Sequence, residues 1–103
     1  MKINSVQPIN REEILSQLHA LLPELAERYE VSKIGIFGSV ARNESTDKSD
    51  IDIVVHMEPN MFKRVHLKEE LEKHFERDVD VIRYWYGMNK FLKARIDRDA
   101  LYA

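Results

Sequence analysis

The chain has 103 residues, 44% of them hydrophobic and 33% charged, with a net charge of −2; this suits one domain with a modest core and gives no electrostatic footprint for nucleic acid. There is no cysteine, which excludes disulfides, zinc–thiolate sites and thiol nucleophiles. No stretch has the apolar length of a membrane span, and the opening MKINSVQPINREE lacks the apolar run of a signal peptide, so a soluble cytoplasmic domain without membrane contact is expected.

Asn10 followed by Glu13 resembles a capping box and opens a helix. Ile14, Leu18, Leu21, Leu22, Leu25 and Tyr29 then recur at helical spacing. Pro23 removes a backbone donor and is expected to kink that helix or split it in two. KIGIFG reads as a short strand running into a glycine turn, and DIDIVVHM as a second strand rich in β-branched residues. After Pro59, Asn60 caps a helix expected to turn Phe62, Val65, Leu71 and Phe75 inward. DVDVIRY is a third strand, ended by Gly87, and MNKFLKARIDRDAL is a last helix with Phe91, Leu92 and Ile96 on one side. The order helix, strand, helical turn, strand, helix, strand, helix describes an α/β (α+β) domain: a small mixed sheet flanked by helices. The polar loop over residues 43–49 permits either parallel or antiparallel pairing of the first two strands.

The chemistry concentrates in GSVARNESTDKSDID, residues 38–52. Side chains alternate along a strand, so Asp50 and Asp52 share one face while Ile51, Ile53 and Val55 take the other. Two carboxylates so placed repel each other unless a cation lies between them, and Mg²⁺ takes oxygen ligands of this kind together with substrate phosphates. Asp80, between Val79 and Val81, completes a three-carboxylate cluster if its strand lies beside the second. Such clusters hold two metal ions about 4 Å apart in phosphoryl chemistry. Gly38 lets backbone approach a phosphate closely, Ser39 adds a hydroxyl, and Arg42, three residues on, offers a guanidinium to a phosphate oxygen.

Gly38 and Ser39, ten intervening positions, Asp50 and Asp52, then Asp80 together resemble the signature of the DNA polymerase beta-like nucleotidyltransferase superfamily. The likeness is strongest over residues 33–84. It is closest to the minimal nucleotidyltransferases (MNT), in which GSxARGE is typical; here Asn43 replaces the glycine of that run, and asparagine tolerates left-handed backbone. The closing ARIDRDALYA also resembles the end of MNT antitoxins. The resemblance implies the polymerase beta-like fold and Mg²⁺-dependent transfer of a nucleoside monophosphate, usually AMP from ATP, to a hydroxyl. It implies that Gly38 and Ser39 hold the triphosphate and that Asp50 and Asp52 bind both Mg²⁺ ions. Asp80 would bind the ion nearer the attacking hydroxyl and help take its proton. It further implies a role as antitoxin to a HEPN-family RNase toxin, modified on a tyrosine. A chain this short leaves no room for an acceptor-binding domain, so the acceptor is expected on a partner. The rival readings are a binding module that neutralises its partner by contact alone, and a transferase acting on a small molecule.

Tyr84, Trp85 and Tyr86 cannot all enter one core, so at least one faces a cleft or partner. His66 and His74, two turns apart, read as a solvated helix face. His56 ends the strand that carries the aspartates and is a further candidate for the site. Arg83, Lys90, Lys93 and Arg95 are cations whose spacing does not choose among them. Exposed aromatics also make a homo-oligomer plausible.

Overall fold

The structure is a computed structural model describing residues 10–46 and 48–103; most of the opening segment read against a signal peptide, and Asp47 of the polar loop, lie outside the described residues. Helix α1 spans Arg11–Tyr29, strand β1 Lys33–Phe37 and the single-turn helix α2 Gly38–Ala41. Strand β2 follows at Ile51–His56, helix α3 at Met61–Phe75, strand β3 at Val79–Arg83, helix α4 at Lys90–Asp99 and strand β4 at Leu101–Tyr102.

The capping residues do what their chemistry suggests. The Asn10 side chain accepts from the Glu13 amide, and Asn60 accepts from Lys63. Pro23 does not divide α1, which runs unbroken from Arg11 to Tyr29. Pro23 and His19, whose carbonyl loses its helical partner, are both exposed, so water can satisfy the orphaned acceptor.

The strands form one sheet in the order β3-β2-β1-β4. β1 and β2 are antiparallel, which settles the pairing the loop left open, while β2 and β3 are parallel. A parallel pair needs a crossover connection, which α3 supplies. The two sheet faces carry separate cores. Ile34, Ile36, Ile51, Ile53 and Val55 pack with Leu18 and Leu25 of α1 and with Leu67 and Leu71 of α3. On the opposite face Phe37 and Val54 pack with Met88 and with Ile96 of α4. The strand bearing the aspartates therefore buries its odd-numbered residues under α1 and α3 and presents its even-numbered residues to α4.

Two helix faces differ from the periodicity reading. Phe62 and Val65 are exposed; the buried stripe of α3 is Leu67 and Leu71, with Phe75 packed beside it. These follow at i, i+4 and i+8, whereas Phe62 and Val65 fall on the far side of the same helix. Phe91 is likewise 82% exposed, because Ile96 and Leu92 one turn earlier occupy the narrow stripe that α4 can bury. The C-terminal helix also ends earlier than expected. Leu101 and Tyr102 pair antiparallel with Ile36 and Gly35, and the Ala103 amide donates to the Ile34 carbonyl at 2.9 Å. A Cβ on Gly35 would stand 2.5 Å from the Leu101 carbonyl oxygen, so glycine is what lets β4 close on this edge.

Leu71→Ala is expected to destabilise the fold by about 2–5 kcal/mol, whereas Phe91→Ser should stay within about 0.5 kcal/mol of the parent. Urea unfolding followed by circular dichroism measures both; equal losses would contradict the assigned helix faces.

Candidate active site

The site forms where β1 runs into α2 beside the starts of β2 and β3. Asp52 and Asp80 are register partners across the parallel β2–β3 pair, flanked by Ile51↔Val79 and Ile53↔Val81. Their carboxylates therefore stand side by side on the α4 face of the sheet. Asp50 lies one residue before β2 and raises the proton affinity of Asp52 as a nearby negative charge. The carboxyl of Asp52 is held above the ordinary carboxylate range, first by burial and next by the charge of Asp80. Strand pairing thus realises the condition on which Asp80 could join the other two.

The three groups are not closed into a ligand set. Among the described residues, no three carboxylate or imidazole groups stand close enough to hold an ion. The charges of Asp80 and Asp50 each raise the proton affinity of Asp52. The donor chemistry suits a hard cation nonetheless: the groups are carboxylates, and a positive charge among them would reverse the repulsion that Asp80 and Asp50 exert on Asp52.

Gly38 sits directly against this strand. Its φ is +74°, and an added Cβ would collide with Asp52 Oδ2, so both its backbone conformation and its distance from the carboxylate require glycine. Ser39 follows at the first turn of α2 and is half-buried. The turn is braced from both faces of the sheet. Arg11 of α1 donates to the Ala41 carbonyl at 2.6 Å, and Arg42 donates to Asp99 of α4 at 2.8 Å. Asn43 adopts left-handed backbone, φ +62°, which keeps the turn that the resemblance builds with glycine.

Arg42, expected to face a phosphate, is instead bonded to Glu44 at 3.0 Å and to Asp99 at 2.8 Å. The guanidinium of Arg98, with Arg42 beside it, holds the Asp99 carboxyl down to about 2. Arg42 still contributes a weak positive field at Asp52, but Arg95 of α4 contributes a larger one. Sequence reasoning left Arg95 among four undifferentiated cations. Its only sequence signal is its place beside Ile96, the residue that fixes α4 over Phe37 and Val54.

His56 does not reach the site. It lies at the opposite end of β2 from Asp52, where Nε2 meets the Tyr102 hydroxyl at 2.9 Å and the ring stacks on Tyr84 at 5.0 Å. Burial lowers its pKa first, with Lys33 adding to the effect. Tyr84 packs into the α4-side core and donates to Asp97 at 2.7 Å, while Tyr86 is 90% exposed; the three aromatics divide between core and surface as their succession requires. His66 and His74 are exposed on α3.

A glycine turn seated on an Asp-x-Asp strand, with a third aspartate in register on the parallel neighbour, is the arrangement of a nucleotidyl-transfer fold. The polymerase beta nucleotidyltransferase model matches residues 20–101, and the chain belongs to that family of nucleotidyltransferases. It is 40% identical over 92 residues to the protein adenylyltransferase MntA of Thermococcus cleftensis, covering 87% of this chain and 88% of that one. A solved structure described as a candidate minimal nucleotidyltransferase superposes with a TM-score of 0.73 at 29% identity, covering 89% of this chain and 94% of the other. The fold also recurs in a structure of a tri-AMPylated Shewanella oneidensis HEPN toxin in complex with MNT antitoxin: TM-score 0.64, 19% identity, 89% of this chain and 70% of that one. At that identity the likeness is one of fold. Among the described residues no helix is long and apolar enough to cross a membrane.

Because folding raises the Asp52 pKa, this carboxyl favours the fold most below its unfolded value, and that contribution is lost as the pH rises through the folded value. Asp52→Asn is therefore expected to raise the thermal unfolding midpoint at pH 7 without added metal, with the gain shrinking as the pH falls through the carboxylate range. Thermal scans across pH check this; an unchanged or lowered midpoint at pH 7 would contradict it.

Proposed function

We propose that this protein is an Mg²⁺-dependent adenylyltransferase that transfers AMP from ATP to a hydroxyl of a partner protein, as the antitoxin of a HEPN-family toxin. The observation that carries the reading is the pairing of Asp52 with Asp80 beneath Gly38. The 40% identity to a protein adenylyltransferase MntA supports AMP and a protein acceptor, and the shared fold with a HEPN-bound MNT antitoxin supports the class of partner.

In this reading each residue has a separate task. Gly38, lacking a side chain, lets the triphosphate approach the backbone, and the Ser39 hydroxyl donates to a phosphate oxygen. Asp50, Asp52 and Asp80 would hold the ions. Bound there, two Mg²⁺ ions would supply positive charge to the phosphates and to the attacking oxygen. The hydroxyl oxygen of the acceptor attacks the α-phosphorus, the bond to the β-phosphate oxygen breaks, and pyrophosphate leaves. The exposed Asp80 carboxylate takes the hydroxyl proton. Arg95 and Arg42 supply positive charge on the α4 side, Arg42 after parting from one of its two carboxylates. Trp85, Tyr86 and Phe91 are exposed large apolar groups suited to a protein partner.

The test is label transfer from ATP carrying a radioactive α-phosphate, in Mg²⁺, to the protein encoded beside this one. Asp80→Asn should slow transfer roughly 10²–10⁴-fold, the scale of a positioned acid–base group, and Asp52→Asn should abolish it. A labelled partner formed by Asp52→Asn at the parental rate would overturn the reading. A partner bound and neutralised without label would favour an antitoxin acting by contact.

A further inference from the structure

The third aspartate stands at the beginning of an edge strand, where fraying is easiest, and the structure contains a device that holds it. The Ile51 amide donates to the Asp78 carbonyl at 3.1 Å, so the backbone of β3 alternates from there and the next amide, that of Val79, turns away from β2. On an edge strand such a donor has no ladder partner. Here it donates to Glu72 Oε2 at 3.1 Å. The same oxygen accepts from the Lys68 ammonium at 2.7 Å, one turn earlier on α3. The backbone carbonyl of Glu72 also accepts from Glu76, the left-handed residue that ends the helix, at 2.8 Å. One residue therefore grips the α3–β3 connection twice, by main chain at its start and by side chain at its end.

We infer that Glu72, tethered by Lys68, is a positioning residue for Asp80, fixing the register in which that carboxylate joins Asp52 at the metal and nucleotide site. The inference rests on the proposed function for the role of Asp80. Its physical basis is the period of a strand. Asp80 directly follows the gripped Val79, which is itself buried and paired with Ile51; a slip of one residue would turn Asp80 to the other face of the sheet. Lys68 also lies within the field of Asp80 and Asp78, so the tether brings a positive charge to the end of β3 where the carboxylates gather.

Mn²⁺ binding, followed by electron paramagnetic resonance of the free ion, tests this without any acceptor or turnover. Mn²⁺ alone is titrated into the parent, Glu72→Ala, Glu72→Gln, Asp52→Asn and Asp80→Asn, with the unfolding midpoint of each recorded. Glu72→Ala should weaken Mn²⁺ binding on the order of tenfold, as loss of an outer-shell partner does, and Glu72→Gln, which keeps an acceptor for Val79, should recover most of it. A purely structural role would lower the midpoint and leave the Mn²⁺ affinity unchanged. Parental affinity in Glu72→Ala, with Asp80→Asn weakened, would overturn the inference and leave the proposed function standing. Parental affinity in Asp52→Asn and Asp80→Asn would overturn the metal reading itself, and the inference with it. If Glu72→Ala does not fold, Lys68→Met, which frees Glu72 from its tether, replaces it: weaker Mn²⁺ binding supports the inference and parental binding overturns it.

Discussion

The in-register parallel pairing of β2 with β3 is the interaction on which the rest of this structure depends. It sets Asp52 beside Asp80, and burial followed by the charge of Asp80 raises the proton affinity of the Asp52 carboxyl. Much of the surrounding architecture can be understood as holding that unfavourable juxtaposition in place. Gly38 gives Asp52 its space by having no side chain. Arg95 and Arg42 moderate its charge from the α4 side. The opposite face of β2 carries Ile51, Ile53 and Val55, all buried under α1 and α3, and their burial anchors the strand whatever its polar face costs.

The division of the sheet into two faces explains how so small a domain carries a charged site at all. One face is committed to the larger core, and the other is closed over only part of its length by Phe37, Val54, Met88 and Ile96. The carboxylates occupy one end of that second face, and the His56–Tyr84–Tyr102 cluster the other. The two ends are chemically separate: the acidic end is charged and partly open, and the aromatic end ties β4 to the sheet through the His56–Tyr102 contact. The α2 turn is held by Arg11 from one side and Asp99 from the other, so the backbone at Gly38 and Ser39 belongs to the rigid frame and not to a free loop.

Much of this was legible in the sequence because it depends on local spacing. Gly38, Ser39, Asp50 and Asp52 lie within fifteen residues, and strand alternation turns Asp52 away from the face that buries Ile51 and Ile53. Asn43 could be read as a left-handed position because its own side chain tolerates one. What was not legible depends on distant partners. Arg42 meets Asp99 57 residues away, and nothing near Arg42 announces it. Strand β4 follows α4 without a breaker and exists because Gly35 leaves room for it on the sheet edge. Phe62 and Phe91 are apolar and helical, but hydrophobicity alone does not say which of several stripes a helix will bury, and both remain exposed. Besides Lys68, Glu72 bonds the backbone amide of Val79, a partner that no side-chain pattern reveals.

The central claim is the proposal that Asp50, Asp52 and Asp80, beside Gly38, hold a cation at one end of the sheet. Paramagnetic broadening of ¹⁵N-labelled protein by substoichiometric Mn²⁺ tests it most directly. The account predicts that signals broaden first at the amides of Gly38, Ser39, Ile51, Asp52 and Asp80, while those of His56, Phe62 and Tyr102 stay sharp. Broadening centred on the acidic surface of α3 around Glu69, or on the His56 end of the sheet, would contradict it.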